Sequence, residues 1–426
     1  MNKFFLNLFF LILLTNCSLG EKEDFIEKDK KSEILFKKNY PIVKELNPNL
    51  KILLKKITKR KPFLHNNTNN SGNINFETDF QKIYSYKFST IDNFEFTQPE
   101  LIFTADNSLI FFDGKGTIFK INENLKEEWK VNYYKKKEKK LDPILYFAHD
   151  DENLIIADTL SKYYSINLKN GELNWSKDNL SPFNSNIKIF KDKFIAVDFD
   201  NVIRCFSVRN GEELWNFKTE NLFIKSQKKL SLVLDKEFVY FINSLGDVTS
   251  LYLNDGTLFW QTPTQSNVIY QNAFSLENSD LVFANNSIYF SNNKNEIFSI
   301  DSMSGIIKWK QTLNSNLRPT IIENLIFSIS EEGYLFIIDD KTGNIIRITN
   351  VLNNIKDKKN NIKPIGFIIA KNKIYLSLNN GNLLKINIST AVQENIFKLH
   401  RSKISRPYVF NKNLYLIKKN AIIKSN

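Results

Sequence analysis

A phrase of about eleven residues returns along this chain at a nearly constant interval, and it restricts the fold more than any other feature. SINLKNGELNW ends at Trp175, CFSVRNGEELW at Trp215, SLYLNDGTLFW at Trp260 and SIDSMSGIIKW at Trp309. A shorter version, KINENLKEEW, ends at Trp129, while IIDDKTGNIIR and KINISTAVQEN keep the frame but end at Arg347 and Asn395. Successive ends lie 46, 40, 45, 49, 38 and 48 residues apart, and all 5 tryptophans of the chain fall on them. A period of this size points to a propeller or a solenoid.

The interior of each unit decides between the two. NSIYFSNNKNEIFSIDS (286–302), NLIFSISEEGYLFIIDD (324–340) and NKIYLSLNNGNLLKINI (372–388) are runs of Ile, Phe, Tyr and Leu broken by Asn, Asp, Gly and Lys. That pattern reads as short antiparallel strands joined by tight turns, with no helical spacing. Four such strands fill one period, so each unit is expected to be one four-stranded blade of an all-β propeller. Within the phrase, Gly171, Gly211, Gly256, Gly305 and Gly343 are expected to supply the positive φ of a hairpin turn. The first phrase position is Ser165, Cys205, Ser250 or Ser299 where an intact phrase ends in Trp, and Ile337 where it ends in Arg347; Lys120, ahead of Trp129, is the exception. Small residue and indole thus occur together, which predicts contact between them, with the indole lying flat over the start of its own phrase or across to the neighbouring blade. A buried indole at this position predicts a loss of about 3–5 kcal/mol for Trp309→Ala.

Seven phrases give seven units, and RPYVFNKNLYLIKKNAIIKSN (406–426) adds three more short strands. An unfinished blade would leave an unpaired edge. The β-prone segment INFETDFQKIYSYKFS (74–89) has no other assignment, so an eight-bladed ring is expected, its last blade closed by a strand near Lys82 to Phe88. A seven-bladed ring, with the C-terminal strands extending the blade before them, is the alternative.

Ahead of the ring, residues 1–16 read as a signal peptide, with Lys3 before an apolar run from Phe4 to Leu14 that is short for a membrane span. Residues 17–75 read as a basic, Asn- and Lys-rich linker and residues 76–426 as the propeller. The net charge of +13 is concentrated in that linker: residues 28–62 hold twelve basic and three acidic residues. Such an arm suits an anionic membrane surface or a solvated tether, and an exported chain is not expected to meet nucleic acid. With Cys17 set aside, Cys205 has no partner for an intramolecular disulfide and is expected to be a buried packing residue. His65, His149 and His400 are widely separated, and no G-x-S-x-G, Walker or H-E-x-x-H motif occurs. Catalysis, a metal and a cofactor are therefore not expected.

Leu-Thr-Asn-Cys at 14–17 resembles the lipobox of bacterial lipoproteins, with Asn16 where a small residue is usual; the resemblance implies lipidation of Cys17. Ser18, rather than Asp, implies sorting to the outer membrane of a Gram-negative cell. Together with the basic linker, the closing strand and seven phrases of the D-x-x-[TS]-G-x-x-x-W type, the chain resembles the BamB-type lipoproteins of the outer-membrane β-barrel assembly machinery. That resemblance implies an eight-bladed, non-catalytic scaffold on the periplasmic face, docking on the POTRA domains of BamA and helping nascent outer-membrane proteins to fold and insert. The family's contact loops map here onto Leu222, Phe223, Ile224 and Lys225, with lysine in place of arginine, and onto Glu277 or Asp280. Leu222, Phe223 and Ile224 beside a basic residue also suit an interface on the residues alone. The phrase is shared with quinoprotein dehydrogenases, so the alternatives are a propeller that binds another envelope protein, peptide or glycan, or a pyrroloquinoline-quinone enzyme. The vicinal cysteine pair typical of the latter is absent.

Overall fold

Strands with one apolar face cannot stand alone; they stack sheet on sheet, and in this chain the stack closes on itself. The computed structural model describes residues 44–54, 80, 82–97, 99–219, 225, 228–265, 276–355 and 362–426. They form eight four-stranded antiparallel sheets, seven of them built from consecutive strands. Blades one to seven span 102–131, 145–178, 188–218, 232–262, 282–311, 320–350 and 364–398. Blade eight takes three strands from 408–425 and its fourth, outermost strand from Ile83–Lys87, which pairs with Ala421–Ser425 in the register Tyr84 to Lys424 and Tyr86 to Ile422. The expected eighth blade is thus present, and the seven-bladed alternative is not.

Closure is visible in the core. Eight apolar clusters fill the eight gaps between neighbouring blades, including the gap between blades eight and one, where Tyr415, Ile417 and Ile422 meet Phe103, Phe111 and Ile121. Most first strands are only two or three residues long, and those of neighbouring blades lie against each other around the axis.

The repeated phrase makes the joint from blade to blade. Its third residue, when Asp or Asn, turns back on the chain: Asp301 Oδ1 accepts from the backbone N–H of Met303 and Ser304 at 3.1 and 2.9 Å. The glycine follows at positive φ, +72° at Gly305 and Gly343, and the third and fourth strands then pair with a one-residue register shift. This shift recurs in all seven phrase-bearing blades, as expected of a type I turn completed by a left-handed glycine bulge. Each indole then reaches the next blade. Trp129, Trp175, Trp215, Trp260 and Trp309 donate Nε1–H to the carbonyls of Leu168, Val208, Leu253, Ser302 and Asp340 at 2.9–3.3 Å. In every case the acceptor is the fourth residue of the next phrase.

The ring face of the indole rests on the glycine of that next phrase: a Cβ on Gly343 would lie 2.6 Å from Trp309 Cδ2, and one on Gly305 2.7 Å from Trp260 Cδ2. The small first residue is the cross-strand partner of its own indole, as in Ser299 with Trp309. Lys120 is accommodated opposite Trp129 because its Nζ leaves the indole for Asp106 and Glu128 at 2.6 and 3.1 Å. Trp309 is only partly buried. The expected cost of Trp309→Ala therefore falls to about 2–3 kcal/mol, the low end for large-to-small changes.

Where the indole is missing, something else fills its place. Arg347 is fully buried and donates to the carbonyls of Ile388 at 3.3 Å, Ser389 at 2.6 Å and Leu50 at 2.7 Å. Leu50 belongs to residues 44–54, from the stretch assigned to the linker. Leu46 exchanges two backbone hydrogen bonds with Ile348, and the N–H of Ile52 donates to Ser389 O at 3.0 Å while its side chain is buried. Part of the linker is therefore fixed to blades six and seven.

Candidate functional site

Links from each fourth strand to the next first strand gather on the face that also carries the turns between second and third strands. Backbone bonds such as Asn179 to Ser161 at 2.7 Å, Val351 to Gly333 at 3.0 Å and Leu399 to Gly381 at 3.0 Å tie these links to those turns. The tryptophan-bearing turns occupy the opposite ends of the strands.

The two connections singled out in the sequence, ahead of blades four and five, are neighbours on this face. Leu222, Phe223 and Ile224 lie outside the described residues, as does Cys17. Lys225 is ion-paired with Asp200, and its Nζ sits 5.7 Å from the centre of the Phe199 ring. Glu277 accepts from Asn316 Nδ2 at 2.6 Å and lies 3.8 Å from Lys228 Nζ. Asp280 turns toward the axis, 3.9 Å from Lys229 and 3.7 Å from Arg406. With 47 % of its side chain exposed against 27 % for Asp280, Glu277 is the more accessible of the two acids.

Asp280 belongs to a group on the axis. Glu100, Asp280, Arg318 and Arg406 each stand two residues ahead of a first strand, Lys229 three ahead, and Lys188 opens one. Lys229 Nζ bonds Glu100 at 2.8 Å, and Arg406 lies 3.6 Å from Glu100. Because Glu100 and Asp280 come from blades one and five, and Lys229 and Arg406 from blades four and eight, these pairs span the ring. Burial alone would raise the two carboxyls, but the charges of Lys229 and Arg406 hold both below the usual carboxylate range. Burial works against the Lys229 ammonium too, yet Asp280 and Glu100 lift it above its ordinary value. For the remaining two bases burial outweighs the pull of Asp280 and Glu100, pushing Lys188 down to about 7 and Arg318 down to about 10. Sequence reasoning missed this group. Its signal is a lone charge just ahead of a short apolar run, as in PELIF, SDLVF and SRPYVF.

Another buried base fixes the entry to blade one. Lys403 Nζ donates to the carbonyls of Phe94, Glu95 and Thr97 at 2.9, 2.8 and 3.0 Å, and burial pushes its pKa down to about 8. Cys205 is fully buried, and burial pushes its thiol up to about 12, so it packs rather than reacts. Among the described residues no group of three or more His, Cys, Asp or Glu is placed to hold a metal ion, and no helix is long and apolar enough to cross a membrane.

A family model described as outer membrane protein assembly factor BamB matches residues 114–349. A protein of Rickettsia conorii is 23% identical over 261 residues, 57% of this chain and 59% of its own length. The outer membrane protein assembly factor BamB of Legionella pneumophila is 22% identical over 160 residues, 37% of each chain. The match thus spans less than two thirds of either relative. Among solved structures, BamB from Moraxella catarrhalis superposes with a TM-score of 0.64 at 14% identity, over 81% of this chain and 100% of that one. Quinohemoprotein alcohol dehydrogenase from Comamonas testosteroni gives 0.61 at 8% identity, over 80% of this chain and 76% of that one. At such identities both share the fold alone.

Proposed function

The chain belongs to the family of outer membrane protein assembly factor BamB, and we propose that it is a non-catalytic scaffold of outer-membrane protein assembly, held to the membrane through Cys17 and docking by its link-bearing face on the POTRA domains of BamA. The family match across 114–349 carries this reading, because it falls on the phrase-built blades and includes both candidate connections. The geometry supports it in one further respect: Lys225 and Glu277 present opposite charges, each partly exposed, on adjacent links. Opposite charges on adjacent links suit the polar part of a protein interface. Lysine lacks the bidentate fork of arginine, so the basic contact is that of a point charge.

The test combines Leu222→Ala, Ile224→Ala and Lys225→Glu in one variant. Co-purification with BamA is expected to be lost while the thermal midpoint stays within about 2 °C of wild type. Undiminished capture of BamA would move the interface elsewhere. In cell fractionation, Cys17→Ser is expected to leave the membrane pellet; a variant still fully in the pellet would remove the anchor from the proposal.

A further inference from the structure

We infer that the sector of the link-bearing face from blade eight to blade three rests on an anionic lipid surface, with Phe96, Leu141 and Leu180 entering the bilayer interface. These side chains are 92%, 65% and 94% exposed, and they stand on the links ahead of blades one, two and three. The three links form one continuous arc. Gly114 N–H donates to Thr90 O at 3.1 Å and Asn132 Nδ2 to Lys115 O at 3.0 Å, so a turn of blade one joins the first link to the second. In blade two, Lys162 pairs with Glu138 at 2.7 Å and Asn179 N–H donates to Ser161 O at 2.7 Å, which joins the second link to the third.

Each apolar side chain is held out by the fold. Phe96 sits on a turn in which its own N–H and that of Thr97 donate to Asn93 O at 3.0 Å, and the carbonyls of Glu95 and Thr97 on either side of it converge on Lys403 Nζ. Leu180 stands between Asn179, fixed to Ser161, and Phe183, which is buried and donates its N–H to Asp158 O at 2.9 Å. Leu141 ends the short 3-10 helix Glu138–Leu141, after which Asp142 takes a φ of +48°. The second link is basic: Lys135, Lys136, Lys137, Lys139 and Lys140 stand against Asp142 and Glu138, and Lys162 takes up Glu138. Lys135, Lys136, Lys137 and Lys140 are exposed, as are the acids Asp92 and Glu95 of the first link, so attraction for anions centres on the second. Three apolar side chains on separate links, parted by turns of blades one and two, make no continuous desolvated centre of the kind a protein hot spot needs. A bilayer interface accepts such side chains one at a time, and anionic headgroups attract the lysines beside them. The docking connections lie ahead of blades four and five, so the two contacts use different sectors of the face.

The test uses the full chain with Cys17→Ser, which removes the proposed anchor; Cys205 is buried, so an introduced thiol is the one that labels. An environment-sensitive fluorophore is placed in turn at Phe96→Cys, Leu141→Cys and Leu180→Cys and, at the opposite ends of the strands, at Ile306→Cys, a side chain 66% exposed. The vesicles are phosphatidylcholine with about 30% phosphatidylglycerol and a nitroxide-bearing quencher lipid. The first three positions are expected to be quenched at least about threefold more strongly than position 306, and the effect to fade with added salt. Lys136→Glu with Lys137→Glu should weaken vesicle binding, read at position 180, by about twentyfold. Quenching at position 306 equal to that at the other three, no quenching at any position, or unchanged binding by the lysine variant overturns the proposal. A spectral shift that grows with protein concentration and needs no vesicles would give the face to a second copy of the chain and overturns it as well. The test changes none of Leu222–Lys225 and does without the anchor, so its failure leaves the docking and anchoring proposals standing.

Discussion

At the scale of the residue, glycine and tryptophan in this chain are two halves of one contact made by different blades. Gly343 needs its hydrogen side chain twice, for a φ of +72° and for the Trp309 ring lying on it. A left-handed backbone costs a residue with a Cβ roughly 1–2 kcal/mol, and the clash adds to it. Gly343→Ala is accordingly expected to cost about 2–4 kcal/mol in urea unfolding. In a Trp309→Ala background the same change should cost only the backbone part, about 1–2 kcal/mol. Equal costs in both backgrounds would mean that the indole does not press on the turn. The chain already contains the natural control: opposite Arg347, where no indole comes, the turn residue is Ala391 at φ +56°. Sequence spacing revealed the positive φ, because a turn is local. It left open whether the indole stays on its own phrase or crosses to the neighbouring blade, and it did not reveal that the ring lands on the glycine of the next phrase, since that contact joins two units.

At the scale of the element, the closing strand was legible because three strands at the C-terminus cannot complete a blade. Removing residues through Lys87 would leave Ala421–Ser425 unpaired along the outer edge of blade eight. Tyr86 would go with it, along with its hydrogen bond to Glu127 at 2.8 Å and its edge contact on Phe111. The truncated protein is expected to elute as oligomers in size-exclusion chromatography and the full chain as one species; a monodisperse monomer of the truncated protein would show that the edge needs no cover. The segment 44–54 was not legible. In the sequence Arg347 marks only a phrase that keeps its frame without the indole, whereas in the structure it is a substituted joint that takes over the carbonyl of Ile388 and adds that of Leu50. An arginine can bond three carbonyls at once, but nothing local in the sequence says that one of them lies almost 300 positions away.

At the scale of the whole molecule, the ring was read from period and composition, but the charges on its axis were not, because they meet only when eight blades close. They give stability a distinctive pH profile. Glu100 and Asp280 titrate below their unfolded values, so their contribution is present above about pH 4–5 and is lost as pH falls through the folded values. Lys188 and Lys403 are also depressed, to about 7 and about 8, so between these values and the ordinary lysine value the unfolded chain binds more protons than the native one. Stability should then climb from pH 7 to pH 9, and the thermal midpoint measured at fixed ionic strength should rise with it; a flat or falling midpoint over that interval would contradict the burial of both lysines. The fixed segment near Leu50 has a mechanical consequence. Any pull entering from the N-terminal side meets the bonds of Leu46, Leu50 and Ile52 before it reaches Ile83–Lys87. Load is thus taken up as shear across blades six and seven, and the seam that keeps the circle shut stays slack until that grip gives way.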